Sequence, residues 1–329
     1  MYNAIAGSCA EQKANSASSF DLSQFASVAP VGINYNMTQD APGGTNIITG
    51  IGVTASNFYI SNTGGGGTYD SGTEEIRKLA INNPDGMVSQ VDDISGLGFN
   101  QIRDIHIDKT GQYIIGAGWV DQRPRAGGYA TAEDITSTLT SRGDISSPLG
   151  AGVQAVAWNS DGTKAVMATA TSSTNNRIRS YTCNTAYSLS SVTSIATKNI
   201  SDANTNGVIT GVKFNDDGFK IFVSQNKAIR EYALTTAYDV STMASSPTYT
   251  LDLSTYIGDR ILGPVYTSSG VAEAINGFDW SADGRTIYVT TAFGGTQGIS
   301  GSPSPPVVME GRDAPAPTPN TFPIFSLTY

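Results

Sequence analysis

Ionisable side chains recur near one position of a repeated segment, where they could do chemistry together. One copy of the segment contains Arg103, Asp104 and His106, and later copies carry Lys213 and Asp279 in place of the histidine. Perturbed ionisable groups that converge in a concavity are a feature of functional sites. A pair of carboxylates such as Asp104 and Asp279 would serve a glycoside hydrolase. We favour a simpler interpretation, a solvated channel with an Asp–Arg pair, because structural ion pairs also perturb pKa values.

Aromatic and arginine side chains in the connecting segments form a second candidate site. Such residues are enriched in protein interfaces and also suit stacking against sugars. Scattered loop residues under no particular demand are an equally good interpretation. The candidate binding residues are Tyr69, Trp119, Arg123, Arg125, Tyr129, Tyr266 and Phe293.

The sequence predicts no cofactor and no metal site. Turns such as Asp217-Gly218 lack the ligand spacing of an EF-hand calcium loop, and ordinary turn chemistry explains them. One histidine and two cysteines, Cys9 and Cys183, cannot form a zinc site of the usual ligand count. The sequence patterns of hydrolase nucleophiles, zinc proteases and phosphate-binding loops are absent. We therefore predict no catalytic residues.

Composition sets broad limits on the partners of this chain. It has 329 residues, 39% of them hydrophobic, and 36 glycines, as expected of an all-β protein with many turns. The formal net charge of −9 disfavours direct contact with nucleic acid. No stretch approaches the roughly 18 apolar residues of a membrane helix, so no membrane insertion is predicted.

The elements that must position the candidate residues are short strands of one repeated unit. Residues 209–254 contain the apolar runs ITGVKF, KIFVS, AIREYAL and TYTLDL, none with helical periodicity. Asp217-Gly218 separates the first two runs, which is a strong hairpin signal. A four-stranded unit of this length cannot bury both of its faces alone, so neighbours of the same kind are expected.

Copies of this unit occur along the chain. The first strand and its turn return as IRDIHIDKTGQYII, VQAVAWNSDGTKAVM and INGFDWSADGRTIYV, and in shorter form as ITGIGVTASNFYIS. The segment TAYDVST, which follows the third strand, is echoed by TAYSLSS. These copies predict an all-β fold, a five-bladed β-propeller that forms a single domain over residues 1–329. The predicted blades span about 47–96, 101–147, 153–202, 209–254 and 275–329.

A signature in the fourth strand predicts how the ring closes. Asp or Asn, then Leu or Ile, then Ser occurs in four blades, as in Asp252-Leu253-Ser254. An additional copy, Asp21-Leu22-Ser23, precedes the first blade, and the last blade lacks a fourth strand. Ring closure removes the unpaired sheet edges of an open array. We therefore predict that residues 20–25 are the closing strand of the last blade, after a loosely held arm at 1–19.

The long connecting segments favour one face of the predicted disc. Segments 26–46, 255–274 and the Pro-rich 292–321 all follow a second or a fourth strand, and those strands end on the same face. Variable loops on a rigid scaffold often carry function. We call this face the loop face and predict that it binds partners. The opposite face, which has the tight turns after first and third strands, is called the turn face.

Two stretches resemble known propeller repeats. WSADGRTIYV and FNDDGFKIFV are similar to the Asp-Gly turn of TolB-like and other propeller repeats. In combination with EYALTTAYDVST, this turn resembles the repeat propellers found in bacteriophage virion proteins and in related marine bacterial proteins. The resemblance implies a repeat propeller without known catalytic residues.

The leading hypothesis is a non-enzymatic structural protein of a bacteriophage virion. It would be a tail, nozzle, adsorption or capsid-surface component that docks other virion proteins and host surface glycans within a symmetric oligomeric assembly. The N-terminal residues lack the basic start and apolar stretch of a signal peptide, so assembly in the host cytoplasm and location in the virion are expected. The alternatives are a glycan-binding module and a glycoside hydrolase or lactonase, because propellers serve all of these functions.

Overall fold

The described part of the chain consists almost entirely of antiparallel β-strands. In the computed structural model, these strands form five four-stranded sheets. The structure describes residues 21–25, 31–36, 47–63, 74–81, 88–99, 101–118, 120–146, 152–172, 175–200, 208–254, 275–282, 284, 286–291 and 321–328. The predicted arm at 1–19 lies outside these residues, as does nearly all of the Pro-rich segment.

The segment that predicted the repeat folds into one complete sheet. Its strands are β14 (Ile209–Phe214), β15 (Lys220–Gln225), β16 (Ala228–Ala233) and β17 (Tyr249–Asp252), paired in chain order. The first hairpin turns at Gly218, whose φ of +73° lies in the left-handed region that glycine adopts without strain. The Asp-Gly pair thus marks a hairpin, as the sequence predicted.

Three further sheets also consist of four consecutive strands each. With the sheet of β14 to β17 they make four blades of the same construction, so the predicted all-β propeller fold is confirmed. Their strands are β2 (Ile47–Val53), β3 (Asn57–Thr63), β4 (Glu75–Ala80) and β5 (Val88–Asp93); β6 (Ile102–Ile107), β7 (Tyr113–Gly118), β8 (Pro124–Tyr129) and β9 (Leu139–Asp144); and β10 (Gly152–Trp158), β11 (Lys164–Ser172), β12 (Asn175–Cys183) and β13 (Val192–Ile200).

The remaining sheet is composite, because its strands come from distant parts of the chain. It consists of β18 (Ile275–Trp280), β19 (Thr286–Thr291), β20 (Thr321–Thr328) and β1 (Val31–Asn36), in the order β1-β20-β19-β18. β1 pairs with β20 along its whole length, from Val31 opposite Ser326 to Asn36 opposite Thr321. An N-terminal strand therefore forms the outer edge of this sheet.

The predicted location of the closing strand, residues 20–25, is wrong. Leu22–Phe25 is a 3-10 helix that packs against β17, and the outer strand of the composite sheet is β1. The copy of the signature at Asp21-Leu22-Ser23 forms a turn rather than a strand, since the Ser23 amide donates to Asp21 Oδ1 at 2.8 Å. Ser254 donates to Asp252 in the same way at 2.8 Å. The apolar residue of the signature is buried in both copies, since Leu22 and Leu253 are 0% and 4% exposed.

The innermost strands contact one another in a closed cycle. β2 contacts β6, β6 contacts β10, β10 contacts β14, β14 contacts β18, and β18 contacts β2. Glycines permit this close approach: a Cβ atom built on Gly50 would lie 2.6 Å from Ile105 N, and one on Gly277 would lie 3.0 Å from Gly50 Cα. The inner strands therefore pack with little side-chain material between them.

Apolar side chains from adjacent sheets fill the space between the blades. One core cluster joins Leu22 and Phe25 to Phe222 and Leu251 of the fourth blade and to Phe278 of the composite sheet. Burial of such side chains from water is the main favourable term in folding. The helices in the described ranges are short 3-10 turns, and none of them could cross a membrane.

The repeated connectors of the turn face clamp the hairpin turns. The Tyr238 hydroxyl donates to the Asp216 carbonyl, and the Tyr238 amide donates to the Gly218 carbonyl at 2.8 Å. A Cβ atom on Gly218 would lie 2.6 Å from the Tyr238 ring. Tyr187 repeats the arrangement in the third blade, where its amide donates to the Gly162 carbonyl at 2.9 Å. The Asp-Gly turn and the Thr-Ala-Tyr connector therefore recur together because they contact each other.

Candidate functional site

Four ionisable side chains from inner strands meet near the centre of the propeller. Asp104 and His106 come from β6, Lys213 from β14 and Asp279 from β18. Their proximity follows from the strand positions, because β6, β14 and β18 are the innermost strands of their sheets and contact one another. The carboxylates and Lys213 are each less than 5% exposed, and Lys213 Nζ lies 3.6 Å from Asp279 Oδ2. We call these four residues the axial cluster.

The two axial carboxylates bind backbone amides of neighbouring sheets. Asp104 Oδ2 accepts a hydrogen bond from Val156 N of β10 at 3.1 Å. Asp279 Oδ2 accepts one from Val53 N of β2 at 3.0 Å, and its Oδ1 accepts one from Trp280 N at 2.9 Å. Each carboxylate therefore connects its own inner strand to the inner strand of the next sheet.

His106 makes a connection of the same kind. Its Nδ1 accepts a hydrogen bond from Trp158 N of β10 at 3.0 Å, so Nδ1 is unprotonated and the ring proton is on Nε2. Burial lowers the pKa of His106 well below its usual value, and the charges of Lys213 and Lys109 add to this effect. The imidazole is therefore held in its neutral form.

Burial acts in the opposite direction on the carboxyl groups. It raises the pKa of Asp104 well above the usual value and raises that of Asp279, while the nearby Lys213 ammonium opposes both shifts. Raised carboxyl pKa values also occur in catalytic acids. Here, however, the oxygens of both groups already accept backbone hydrogen bonds across sheet boundaries. Their geometry fits a role in holding the sheets together.

A small depression with a cavity volume of about 30 Å³ lies over His106, Lys213 and Asp279 of the axial cluster. It opens among the turns that follow the first strands, so it lies on the turn face, whereas we predicted binding at the loop face. The sequence carried a signal for it: the first strands end in Trp158, Phe214 and Trp280, directly after the axial positions. We call this the mouth depression. Its lining includes His106, Trp158, Lys213, Phe214, Asp279 and Trp280.

An ion pair stands at the rim of the mouth depression. Lys109 Nζ, in the turn after β6, lies 3.2 Å from Asp216 Oδ2, in the turn after β14. These turns belong to the second and fourth blades, so the pair spans the intervening third blade. Both side chains retain solvent contact, and the pair contributes little to stability for that reason.

The two arginines predicted to bind partners are engaged in ion pairs beside the loop between β7 and β8. Arg125 Nη2 lies 2.6 Å from Asp121 Oδ2, and Arg123 Nη1 lies 3.4 Å from Asp144 Oδ1. Arg125 Nη1 is also 3.6 Å from Asp144 Oδ2. The structure thus brings both arginines together, but with their charges balanced by aspartates of the same sheet.

Tyr129 is a wrong prediction for the exposed loop face. It ends β8 and is only 2% exposed, because its ring packs in the core between the first and second blades. Its hydroxyl donates to Asp92 Oδ2 at 3.0 Å. The Gly-Gly-Tyr sequence resembled a loop, but the strand continues through it. The other predicted residues, Tyr69, Trp119, Tyr266 and Phe293, lie outside the described residues.

Cys183 is a buried core residue of the third blade. It has a free thiol, and burial raises its pKa to about 11. A thiol with such a pKa is largely protonated at neutral pH and is a poor nucleophile. Within the described ranges, no group of three His, Cys, Asp or Glu side chains could hold a metal ion.

Comparisons with known proteins concern the fold. No family model and no characterised sequence matches this chain. It is similar to the β-propeller domain of Myceliophteria thermophila Cps50 (Swd1), with 11% identity and a TM-score of 0.40 over 74% of this chain and 66% of that one. A nidogen/laminin complex gives 10% identity and a TM-score of 0.41 over 74% and 71%. A protein from Lactobacillus plantarum gives 11% and 0.43 over 80% and 89%. These similarities carry no argument about function.

Proposed function

We propose that this chain is a non-enzymatic scaffold that docks other proteins in a bacteriophage virion. The resemblance of its Asp-Gly turns and Thr-Ala-Tyr connectors to virion repeat propellers motivates the assignment to a virion. The docking partners are other virion proteins, and host surface glycans are a second ligand class for the same face. The scaffold itself is a five-bladed ring in which β1 completes the composite sheet.

The closure of the ring is supported by contacts on both sides of the composite sheet. Its inner strand β18 contacts β14 of the fourth blade and β2 of the first blade. The backbone pairing of β1 with β20 protects an edge that would otherwise be open to pairing with other chains. A ring closed in this way holds the attachment points of the long segments in fixed positions.

The docking function is inferred from the positions at which the long segments join the composite sheet. Asn36 pairs with Thr321, and Ile275 pairs with Thr291, at the same end of the composite sheet. Segment 37–46 leaves from Asn36, segment 255–274 enters at Ile275, and segment 292–320 joins Thr291 to Thr321. Three long segments therefore start or end beside one another on the loop face.

The length and composition of these segments are those expected of a binding surface that becomes ordered when a partner binds. Segment 292–320 is rich in Pro, Gly and Ser and has few large apolar residues, so it cannot form a core of its own. Ordering such a chain costs about 1 kcal/mol or more per residue, less where proline restricts it. Hairpin loops typically have about 2–5 residues, so this segment exceeds what the fold requires.

The axial cluster supports a non-enzymatic role. A glycoside hydrolase needs one carboxyl group that protonates the leaving group and another that acts as a base or nucleophile. Asp104 and Asp279 are instead buried and accept backbone hydrogen bonds from β10 and β2, which fits a role in holding the sheets together.

Shortening the Pro-rich segment tests the docking function. Replacement of residues 292–320 by a short Gly-Ser turn should leave the melting temperature nearly unchanged but abolish incorporation into virus particles, measured by blotting purified particles. The matched control is the same replacement of residues 64–73, which join β3 to β4 of the first blade on the same face. The control should be incorporated normally.

Two outcomes would contradict the proposal. Normal incorporation of the variant shortened at 292–320 would move the interface to the turn face. Hydrolysis of a polysaccharide or a lactone by the purified protein, lost in Asp104→Asn, would show that the protein is an enzyme.

A further inference from the structure

Two buried hydrogen-bond donors at the mouth depression have no acceptor among the described residues. They are Lys213 Nζ and Trp158 Nε1. Both residues line the depression, and the side chain of Lys213 is 4% exposed while Trp158 is 2% exposed. Lys213 has an ion-pair neighbour in Asp279, but at 3.6 Å it makes no hydrogen bond with it. Buried donors are normally satisfied, so this pair requires an explanation.

His106 adds a third donor to the same depression. Because its Nδ1 accepts from Trp158 N, its Nε2 carries the proton and can donate. The three donors come from two adjacent inner strands, β6 and β10, and from β14 beyond them. Donors therefore enter the depression from three neighbouring sheets.

The carboxylates that line the depression already have donors of their own. Asp279 accepts from two backbone amides, and Asp216 pairs with Lys109. Asp108 accepts from the amides of Gln112 and Tyr113 at 2.8 and 2.6 Å. The carboxylates of the depression thus have partners, whereas Lys213 Nζ and Trp158 Nε1 have none among the described residues, and a ligand that pairs with these donors must supply acceptors.

We propose that the mouth depression binds a small organic acid through its carboxylate group. A carboxylate is an acceptor-only group with two oxygens, which suits a lysine ammonium combined with indole and imidazole N–H donors. The Phe214 and Trp280 rings provide an apolar wall for a short hydrocarbon body. A sugar ring fits less well, because Trp158 and Trp280 are only 2% and 7% exposed and present no open face for stacking.

Indole N–H signals in nuclear magnetic resonance spectra provide a direct test. The chain has 3 tryptophans, so a ¹⁵N-labelled full-length sample gives a small set of indole signals. The Trp158 signal is assigned as the one that is missing from the spectrum of the Trp158→Phe variant. Acetate, propionate and benzoate are then titrated into the wild-type protein, with chloride at matched ionic strength as the reference.

The expected result is a saturable shift of the Trp158 indole signal with at least one of the three acids. Lys213→Met should weaken this binding about tenfold or more, since it removes the only buried charge among the donors. Lys198→Met, in the outer strand β13, removes the same charge far from the depression and should leave the affinity unchanged. Trp158→Phe keeps an aromatic ring and should also weaken binding, as measured by calorimetry.

Four results would overturn the proposal. A Trp158 indole signal that does not shift with any of the acids would contradict the proposal. A shift of equal size with chloride would show that the depression binds an adventitious ion only. Equal affinities of the Lys213→Met and Lys198→Met variants for the acid would show that Lys213 does not bind it. If Lys213→Met does not fold, equal affinities of wild type and Trp158→Phe would be decisive. None of these results depends on particle incorporation, so they test this inference independently of the proposed function.

Discussion

At the scale of single residues, burial sets the protonation states of the axial cluster. The folded protein keeps His106 neutral because its Nδ1 accepts a backbone hydrogen bond and its surroundings include the Lys213 and Lys109 charges. Protonation would replace that acceptor by a second donor facing the Trp158 amide. The histidine thus holds β6 to β10 only in its neutral form.

This arrangement predicts a loss of stability in mild acid. The pKa of His106 is lowered on folding from its usual 6.5, so below pH 6.5 the unfolded chain binds a proton that the folded chain does not. The free energy of unfolding should therefore fall as the pH decreases through 6.5, by about 1 kcal/mol per pH unit for one group. His106→Asn keeps an acceptor and cannot titrate, so it should lack this part of the decrease. Urea unfolding at pH 7.5 and 5.5 measures the difference.

The axial carboxyl groups respond to pH with the opposite sign. Their pKa values are raised on folding from 3.8, so the folded state binds protons where the unfolded state is ionised. Their contribution to stability therefore grows as the pH falls towards 3.8 and is lost as it rises through the folded-state pKa. A wild-type protein that loses no more stability between pH 7.5 and 5.5 than His106→Asn would contradict the assignment to His106.

The sequence predicted that these residues converge, but it could not predict what they bind. Asp104 and Asp279 bind amides of Val156 and Val53, which belong to neighbouring sheets and carry no side-chain signal for such a contact. The same limit applies to Tyr129, whose burial depends on packing against the first blade. Partners that are backbone groups of another repeat cannot be identified from residue types.

At the scale of elements, the contact between hairpin turn and connector explains the most regular part of the repeat. Gly218 has a φ of +73° and lies beneath the Tyr238 ring. This position therefore requires both a left-handed backbone conformation and the absence of a side chain. Glycine is the residue that satisfies both, since any Cβ atom would be strained and would also collide with the ring.

Substitution of this glycine should be costly. Gly218→Ala should lower the free energy of unfolding by about 2–4 kcal/mol, from the strained backbone and the overpacking together. Gly96→Ala is the matched control, because a Cβ atom there would have no neighbour within 4 Å and φ is not positive. The control should be neutral or slightly stabilising. Chemical denaturation of both variants measures the difference, and equal stabilities would exclude the clamp.

Sequence patterns located the strands better than the short turns that follow them. The Asp-Gly pairs and alternating apolar residues predicted the hairpins because both are local properties. The Asp-Leu-Ser signature was misread as a strand because a single buried Leu between polar residues also fits strand alternation. Its real feature, a serine amide bonded to the aspartate, is visible only in the folded turn.

At the scale of the whole molecule, two N-terminal elements have separate roles. The 3-10 helix Leu22–Phe25 fills the core between the fourth blade and the composite sheet, whereas β1 pairs with β20. The repeat pattern predicted that an N-terminal segment completes the last sheet. It could not predict which one, because β1 has none of the repeated signatures.

Two truncations distinguish these roles. Deletion of residues 1–27 removes Leu22 and Phe25 and should cost about 3–5 kcal/mol from lost burial, while the oligomeric state stays that of the full-length protein. Deletion of residues 1–36 also exposes the β20 edge and should lower the melting temperature further and produce oligomers through edge pairing. Calorimetry and size-exclusion chromatography measure both effects. Identical behaviour of the two truncations would show that β1 does not protect the sheet.

The composite sheet also has a consequence for how the molecule is made. The first strand described in the chain pairs with the last one, and every other strand lies between them in sequence. During synthesis β1 emerges first and stays unpaired until β20 has been synthesised. Ring closure is therefore expected to be the final and slowest step of folding. Until then, β1 of one chain can pair with β20 of another. Crowded nascent chains are therefore expected to yield strand-exchanged dimers that separate only by unfolding.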